Sequence, residues 1–188
     1  MLARGGKLIC IDPRVTFYAQ EADIHAQPRP GTDGALALGM LHHIVAEKQY
    51  DAEFVDTWTI GFDELKKHLK GYPPEKAEEI SGVPAQTIRD IATMYATTKP
   101  ACISPRNALD EHTNAACAIR AIDFLMAITG NLDVKGGNEM IVSLSLGFED
   151  LKLTDKLPPE AEEKWLGTDK VLYARMSQFY PSAHTPTL

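Results

Sequence analysis

The feature that most constrains this chain is its first apolar run, Lys7-Leu8-Ile9-Cys10-Ile11, cut off by Asp12-Pro13-Arg14. Proline has no N–H for a ladder, so an extended segment must stop there. A short, continuously apolar strand suits a parallel sheet covered on both faces by helices. The following residues agree with that reading. A helical pattern around residues 16–22 leads to a second extended piece over 23–27, and Pro28-Arg29-Pro30-Gly31 then imposes a turn. Thr32 and Asp33 are N-cap types, and a helix is predicted over 34–48. Its apolar positions Leu36, Leu38, Met40, Leu41, Ile44 and Val45 take up most of the circumference. A helix of that kind is covered on more than one side.

Short amphipathic helices are predicted over 51–58, 62–69 and 74–80, each bounded by Gly or Pro. A longer one starts at Pro84 as first helical residue, with Ile88, Ile91, Ala92 and Tyr95 on one face. Lys99-Pro100 ends it, and residues 101–104 read as a buried strand. Residues 113–129 read as a helix capped by Thr113 and stopped by Gly130. Alternating strand and helix predict an α/β fold with a parallel sheet. The strands are few for so many helices, so the chain reads as part of a larger fold. From residue 148 onward the pattern is irregular, as of a segment packing on a neighbouring domain.

Composition narrows the function classes. The chain has 188 residues and a net charge of −7, without a basic cluster, which argues against nucleic acid as partner. No apolar run approaches a membrane span and no secretory signal is visible, so no membrane contact and a cytoplasmic location are expected. The three cysteines, Cys10, Cys102 and Cys117, have no paired spacing. They are expected to be small buried hydrophobes rather than a disulfide framework, a zinc site or an iron–sulfur site. The six histidines show no ligand spacing, and His42 and His43, adjacent on a helix, cannot chelate together.

Three segments could carry chemistry. Ligands of parallel α/β sheets sit beyond the carboxyl ends of the strands. There Asp12 suits hydroxyls and Arg14 a phosphate, although Asp-Pro is also a plain strand stopper. Pro30-Gly31-Thr32-Asp33 leads into a helix whose free N–H groups suit an anion, and a carboxylate can accept from the N1–H and N2–H₂ donor pair of guanine. Simple helix capping asks for the same residues. The polar stretch over 105–114, including Asn107 and Glu111, follows the later strand and is either ligand-facing or a loop with a cap. Neither a glycine-rich dinucleotide fingerprint nor a phosphate loop is present, and no Ser or Cys has a base by local signature.

In combination the motifs are specific. Leu8-Ile9-Cys10-Ile11-Asp12-Pro13-Arg14, Ala22-Asp23-Ile24-His25 and Arg29-Pro30-Gly31-Thr32-Asp33-Gly34-Ala35-Leu36-Ala37 resemble the molybdopterin oxidoreductases of the dimethyl sulfoxide reductase and formate dehydrogenase group. The likeness continues through Gly61-Phe62-Asp63, Gly82-Val83-Pro84, His112-Thr113-Asn114, Thr129-Gly130-Asn131-Leu132-Asp133 and Gly136-Gly137-Asn138. It is strong to about residue 140 and looser beyond.

The resemblance implies a molybdopterin guanine dinucleotide cofactor, with molybdenum or tungsten held by two pterins that each carry a guanosine arm. It places Asp12, Pro13, Arg14, Thr16, Gly31, Thr32 and Asp33 along one arm, with Asp33 at the guanine edge. The family also touches the cofactor after the later strand, usually with a Met and a Gln. Asn107 and Glu111 stand at those positions here, and a carboxylate at Glu111 would repel phosphate unless it meets a hydroxyl or an amine. The implied architecture is an incomplete, Rossmann-like three-layer α/β domain with part of an adjoining α/β domain. Residues 1–106 belong to the guanosine-binding domain, 107–147 cross into its neighbour and 148–188 form that neighbour's irregular tail.

Family members are several times longer. Their iron–sulfur segment, metal ligand and closing domain are expected outside this chain, with no catalytic residue, metal ligand or iron–sulfur cluster within it. The chain then reads as an internal piece of an oxidoreductase, inactive alone, with the enzyme's remaining domains or subunits as partners. Self-association through an exposed sheet edge is expected of such a piece. The competing reading is a non-catalytic nucleotide-binding or assembly subunit without a metal centre.

Overall fold

The computed structural model describes residues 4–105, 107–139, 158 and 160. Strand β1 (Ile9–Ile11) is followed by the single-turn helix α1 (Phe17–Gln20) and strand β2 (Ile24–Ala26). The strands pair in parallel, Ile9 opposite Ile24, Cys10 opposite His25 and Ile11 opposite Ala26. Parallel neighbours need a crossover, and the loop with α1 provides it. Asp12 N–H donates to Ala26 O at 3.1 Å, and Pro13 then ends the pairing. At the other end the Asp23 carboxylate accepts from Leu8 N–H at 2.9 Å and from the Lys7 ammonium at 2.8 Å. These two strands make the one sheet among the described residues. The fold is therefore an incomplete α/β arrangement, mostly helical around a small parallel sheet.

Helix α2 (Asp33–Ala46) organises the rest. It packs against α4 (Phe62–Leu69), α5 (Pro74–Ser81), α6 (Ala85–Thr97) and α7 (Ala115–Ile128), as its broad apolar circumference predicts. Leu41 and Ile44 are fully buried in that core, each worth about 1.5–3 kcal/mol of transfer free energy. Gly39 lets α5 approach, because a Cβ there would stand 2.6 Å from the Ala77 Cβ. Helix α3 (Ala52–Trp58) is capped by Asp51, whose carboxylate accepts from Phe54 N–H at 2.9 Å. Asp51 N–H donates in turn to Ile128 O at the end of α7, at 2.7 Å.

Several helix ends differ from expectation by one or two residues. Helix α2 stops at Ala46, and Lys48 takes a left-handed φ of 55°. Pro84 is the N-cap of α6 rather than its first residue, and Asn114, not Thr113, caps α7. Gly130, at φ 64°, follows the end of α7 as predicted.

Residues 101–104 are not a strand. Ala101 N–H donates to Asn131 Oδ1 at 3.2 Å, Ile103 N–H donates to Asn138 Oδ1 at 2.8 Å, and Ile103 O accepts from Asn138 Nδ2 at 2.6 Å. Two asparagine side chains thus take the place of a ladder partner along one edge. Asn131 is itself fully buried and donates to Thr129 Oγ1 at 2.9 Å, which donates to Leu125 O at 2.6 Å. Lys99 donates to Thr129 O. The segment is apolar enough to be a strand, but no described residue offers it a backbone ladder.

The cysteines also depart from expectation. Cys102 and Cys117 are exposed and Cys10 is half-buried, all three as free thiols. Cys102 alternates with the half-buried Ala101 and Ile103, so an extended backbone turns it outward. Cys117 lies one residue before the buried Ala118 that faces α2.

The chain divides into two compact units, Met1–Ile141 and Val142–Leu188. The tail predicted over 148–188 lies outside the described residues except at 158 and 160. Among the described residues no helix is long and apolar enough to cross a membrane.

Candidate cofactor-binding loops

Asp12 stands where β1 ends, as its sequence context requires, but its carboxylate is already engaged. Asp12 Oδ1 accepts from Arg14 N–H at 2.8 Å and from Arg14 Nε at 3.3 Å, and Oδ2 accepts from Arg14 Nη2 at 3.3 Å. The Arg14 guanidinium, and then its backbone N–H, hold the Asp12 carboxyl below the usual carboxylate range. The same pairing raises Arg14. Arg14 remains largely exposed, so a phosphate could still reach it. Pro13 O accepts from Gln27 Nε2 at 2.9 Å and Asp12 O lies 2.8 Å from His25 Nε2, which ties this loop to the residues at and after the end of β2. Thr16 caps α1, its hydroxyl accepting from Ala19 N–H at 3.3 Å.

The second loop is more open chemically. Gly31 has φ 82°, a backbone that side chains rarely adopt, and this places Thr32 as N-cap of α2. The Thr32 hydroxyl does not cap the helix. It donates back to Arg29 O at 2.6 Å, alongside Thr32 N–H at 3.1 Å. The N–H groups of Ala35 and Leu36 both reach Thr32 O, whereas those of Asp33 and Gly34 reach no carbonyl among the described residues. The half-buried Asp33 carboxylate also lacks a partner among the described residues. A free carboxylate beside two free N–H groups on the positive end of a helix is an acceptor and a donor set in one place.

Arg29 anchors this loop. Its N–H donates to Ser81 O at 2.8 Å, and its guanidinium donates to Glu79 O and Ile80 O at 2.8 and 3.0 Å, satisfying carbonyls at the end of α5. Gly82, in a left-handed conformation, lies beside that guanidinium, where a Cβ would make ordinary van der Waals contact.

Asn107 opens a short 3₁₀ turn, Asn107–Leu109, and both it and Glu111 are exposed. Neither is hydrogen-bonded to Asp12 or to Gly31–Asp33. Arg106 lies outside the described residues. The contact between the second and third segments comes instead from His112 and Asn114. Asn114 Nδ2 donates to Gly31 O at 2.9 Å, and a Cβ on Gly31 would stand 3.3 Å from His112 Nδ1. Both residues sit within the polar stretch singled out from the sequence, but nothing in their spacing marks them as the residues that meet Gly31. Among the described residues no group of three or more His, Cys, Asp or Glu side chains could hold a metal ion.

The molybdopterin oxidoreductase family model matches residues 2–173. Acetylene hydratase from Syntrophotalea acetylenica is 42% identical over 170 residues, which is 89% of this chain and 23% of that protein. Formate dehydrogenase H from Escherichia coli (strain K12) is 39% identical over 128 residues, 68% of this chain and 18% of that protein. The solved structure of acetylene hydratase from Pelobacter acetylenicus matches with a TM-score of 0.67 and 48% identity, over 69% of this chain and 18% of that one. The chain thus spans less than a quarter of the length of these relatives. Matched along most of its length and similar in fold where it is compared, this chain belongs to the molybdopterin oxidoreductase family, in the group of the formate dehydrogenases and dimethyl sulfoxide reductase.

Proposed function

We propose that this chain grips the guanosine end of one pterin arm in a bis-pterin molybdenum or tungsten cofactor, within an oxidoreductase whose remaining domains or subunits hold the metal and close over it. The observation that carries this reading is Asp33: a carboxylate at the start of a 14-residue helix, beside the N–H groups of Asp33 and Gly34, all without a partner among the described residues. A carboxylate accepts from the paired donors N1–H and N2–H₂ of guanine, which adenine does not present, while free N–H groups at a helix start suit an anion.

Asp12 and Arg14 divide the remaining tasks. Asp12, with lone pairs left over after Arg14, accepts from ribose hydroxyls, and the exposed Arg14 meets a phosphate. Pro13 and Thr16 fix the loop that presents them, and Thr32 shapes the start of α2. Asn107 offers a neutral donor and acceptor toward the cofactor, and Glu111 meets a hydroxyl or an amine. The cofactor, when bound, supplies the electron transfer, and the residues of this chain bind and orient it. In isolation the chain is inactive.

One exposed face suits a partner. Ile11, Val15, Phe17 and Tyr18 are 42%, 62%, 72% and 69% exposed along the end of β1 and α1. The remaining domains of the enzyme cover that face, and without them it drives self-association.

Competition binding tests the proposal. The chain is expected to rank GDP above IDP, which lacks the N2 amino group, and IDP above ADP. The charged acceptor is worth about 10–100-fold between GDP and ADP. Equal affinity for the three nucleotides, or a preference for ADP, contradicts it.

A further inference from the structure

We infer that Asn114 is a positioning residue for the nucleotide loop, acting through Gly31 on the way Asp33 is presented; the inference rests on the reading of Asp33 just given. The Asn114 side chain fixes the direction of the Gly31 carbonyl, because Nδ2 donates to it at 2.9 Å. With that carbonyl held, the same peptide unit points its other end, Thr32 N–H, at Arg29 O. The peptide bond is planar, so the two ends cannot be set independently. The His112 ring occupies the space next to the Gly31 Cα, where any Cβ would be crowded at 3.3 Å. The Gly31 carbonyl is thus held by the Asn114 amide, and the His112 ring leaves little room for any side chain at this position.

The loop is gripped from both flanks. Arg29 is fastened to the end of α5 by three hydrogen bonds, and Gly31 is fastened to the segment before α7. Between these points Thr32 ends the turn and Asp33 begins α2. The start of α7 lies close by, since a Cβ on Gly34 would stand 3.2 Å from the Ala118 Cα. The segment that carries Asn107 and Glu111 therefore also sets the geometry of the loop that carries Asp33. Asn114 is well suited to a positioning role because its side chain makes no cap hydrogen bond to α7, leaving its amide for Gly31.

The test uses Asn114→Ser in the full chain. Serine is neutral, is as good an N-cap as asparagine, and is too short to reach Gly31, so the fold is kept while the latch is lost. GDP dissociation constants are measured for the wild type, Asn114→Ser, Asp33→Ala and the double variant, with thermal midpoints of all four. The expected result is a five- to tenfold weakening by Asn114→Ser, on the order of one lost hydrogen bond. That loss is expected to shrink to below about twofold on the Asp33→Ala background, with the midpoint of Asn114→Ser unchanged.

If Asp33→Ala weakens GDP but Asn114→Ser does not, the positioning role is overturned and the nucleotide reading stands. Equal losses on both backgrounds, or a loss tracking the thermal midpoint, also overturn it, because Asn114 then acts independently of Asp33. No GDP binding by the folded wild type overturns the nucleotide reading and this inference together.

Discussion

At the scale of single residues, Asp12 shows how far local chemistry can be read and what it leaves out. Its place at the end of β1 was legible because a strand stopped by Asp-Pro is a local event. Arg14, read as suited to a phosphate, also folds back on Asp12, its N–H donating to Asp12 Oδ1 at 2.8 Å. The pairing makes a prediction about protons. The folded state holds the Asp12 carboxyl below its ordinary value of about 3.9. Any stabilisation it gives is therefore fully present above about pH 4 and lost as the pH falls through the lowered value. Exposed pairs contribute little, so the readout should be the titration itself. A carbon-detected NMR titration should find the Asp12 pKa below that of an unpaired aspartate and moved upward in Arg14→Ala. An identical titration in both proteins would mean that Arg14 is not its partner.

At the scale of elements, helices were easier to read than strands. The apolar period of α2 announced a helix covered on several sides, and α4 to α7 surround it as that period requires. What the period could not reveal is the close crossing at Gly39. Gly39→Val should overpack the α2–α5 contact and lower stability by about 1–3 kcal/mol in urea unfolding. An unchanged midpoint would show that the helices do not meet there.

The segment over 101–104 was misread for an equally physical reason. Apolar residues in a short run say that a backbone is extended and partly buried, not what satisfies its polar groups. Here the partners are Asn131 and Asn138, separated from it by 30 and 35 residues. Asn131→Ala should leave Ala101 N–H unpaired and cost about 1–3 kcal/mol. An unchanged midpoint in Asn131→Ala would point away from that bond.

At the scale of the molecule, the shortage of strands was the informative sign. Two paired strands bury little of their own surface, and the exposed Val15, Phe17 and Tyr18 lie where the proposed reading puts the rest of the enzyme. Size-exclusion chromatography with light scattering should find concentration-dependent association of the isolated chain. The double variant Val15→Lys, Phe17→Lys should reduce it without unfolding the helices. A monomer at all concentrations would contradict the assignment of that face.

In sequence a carboxylate at a helix start looks the same whether it caps or binds; in the structure Asp33 has no partner among the described residues, which supports the proposed reading of guanine. The direct measurement is a thermal-shift titration of the chain with GDP and ADP, wild type beside Asp33→Ala. Stabilisation by GDP is expected to grow with its concentration, with little by ADP and loss of the difference in the variant. Stabilisation of Asp33→Ala by GDP to the same extent as the wild type would contradict it.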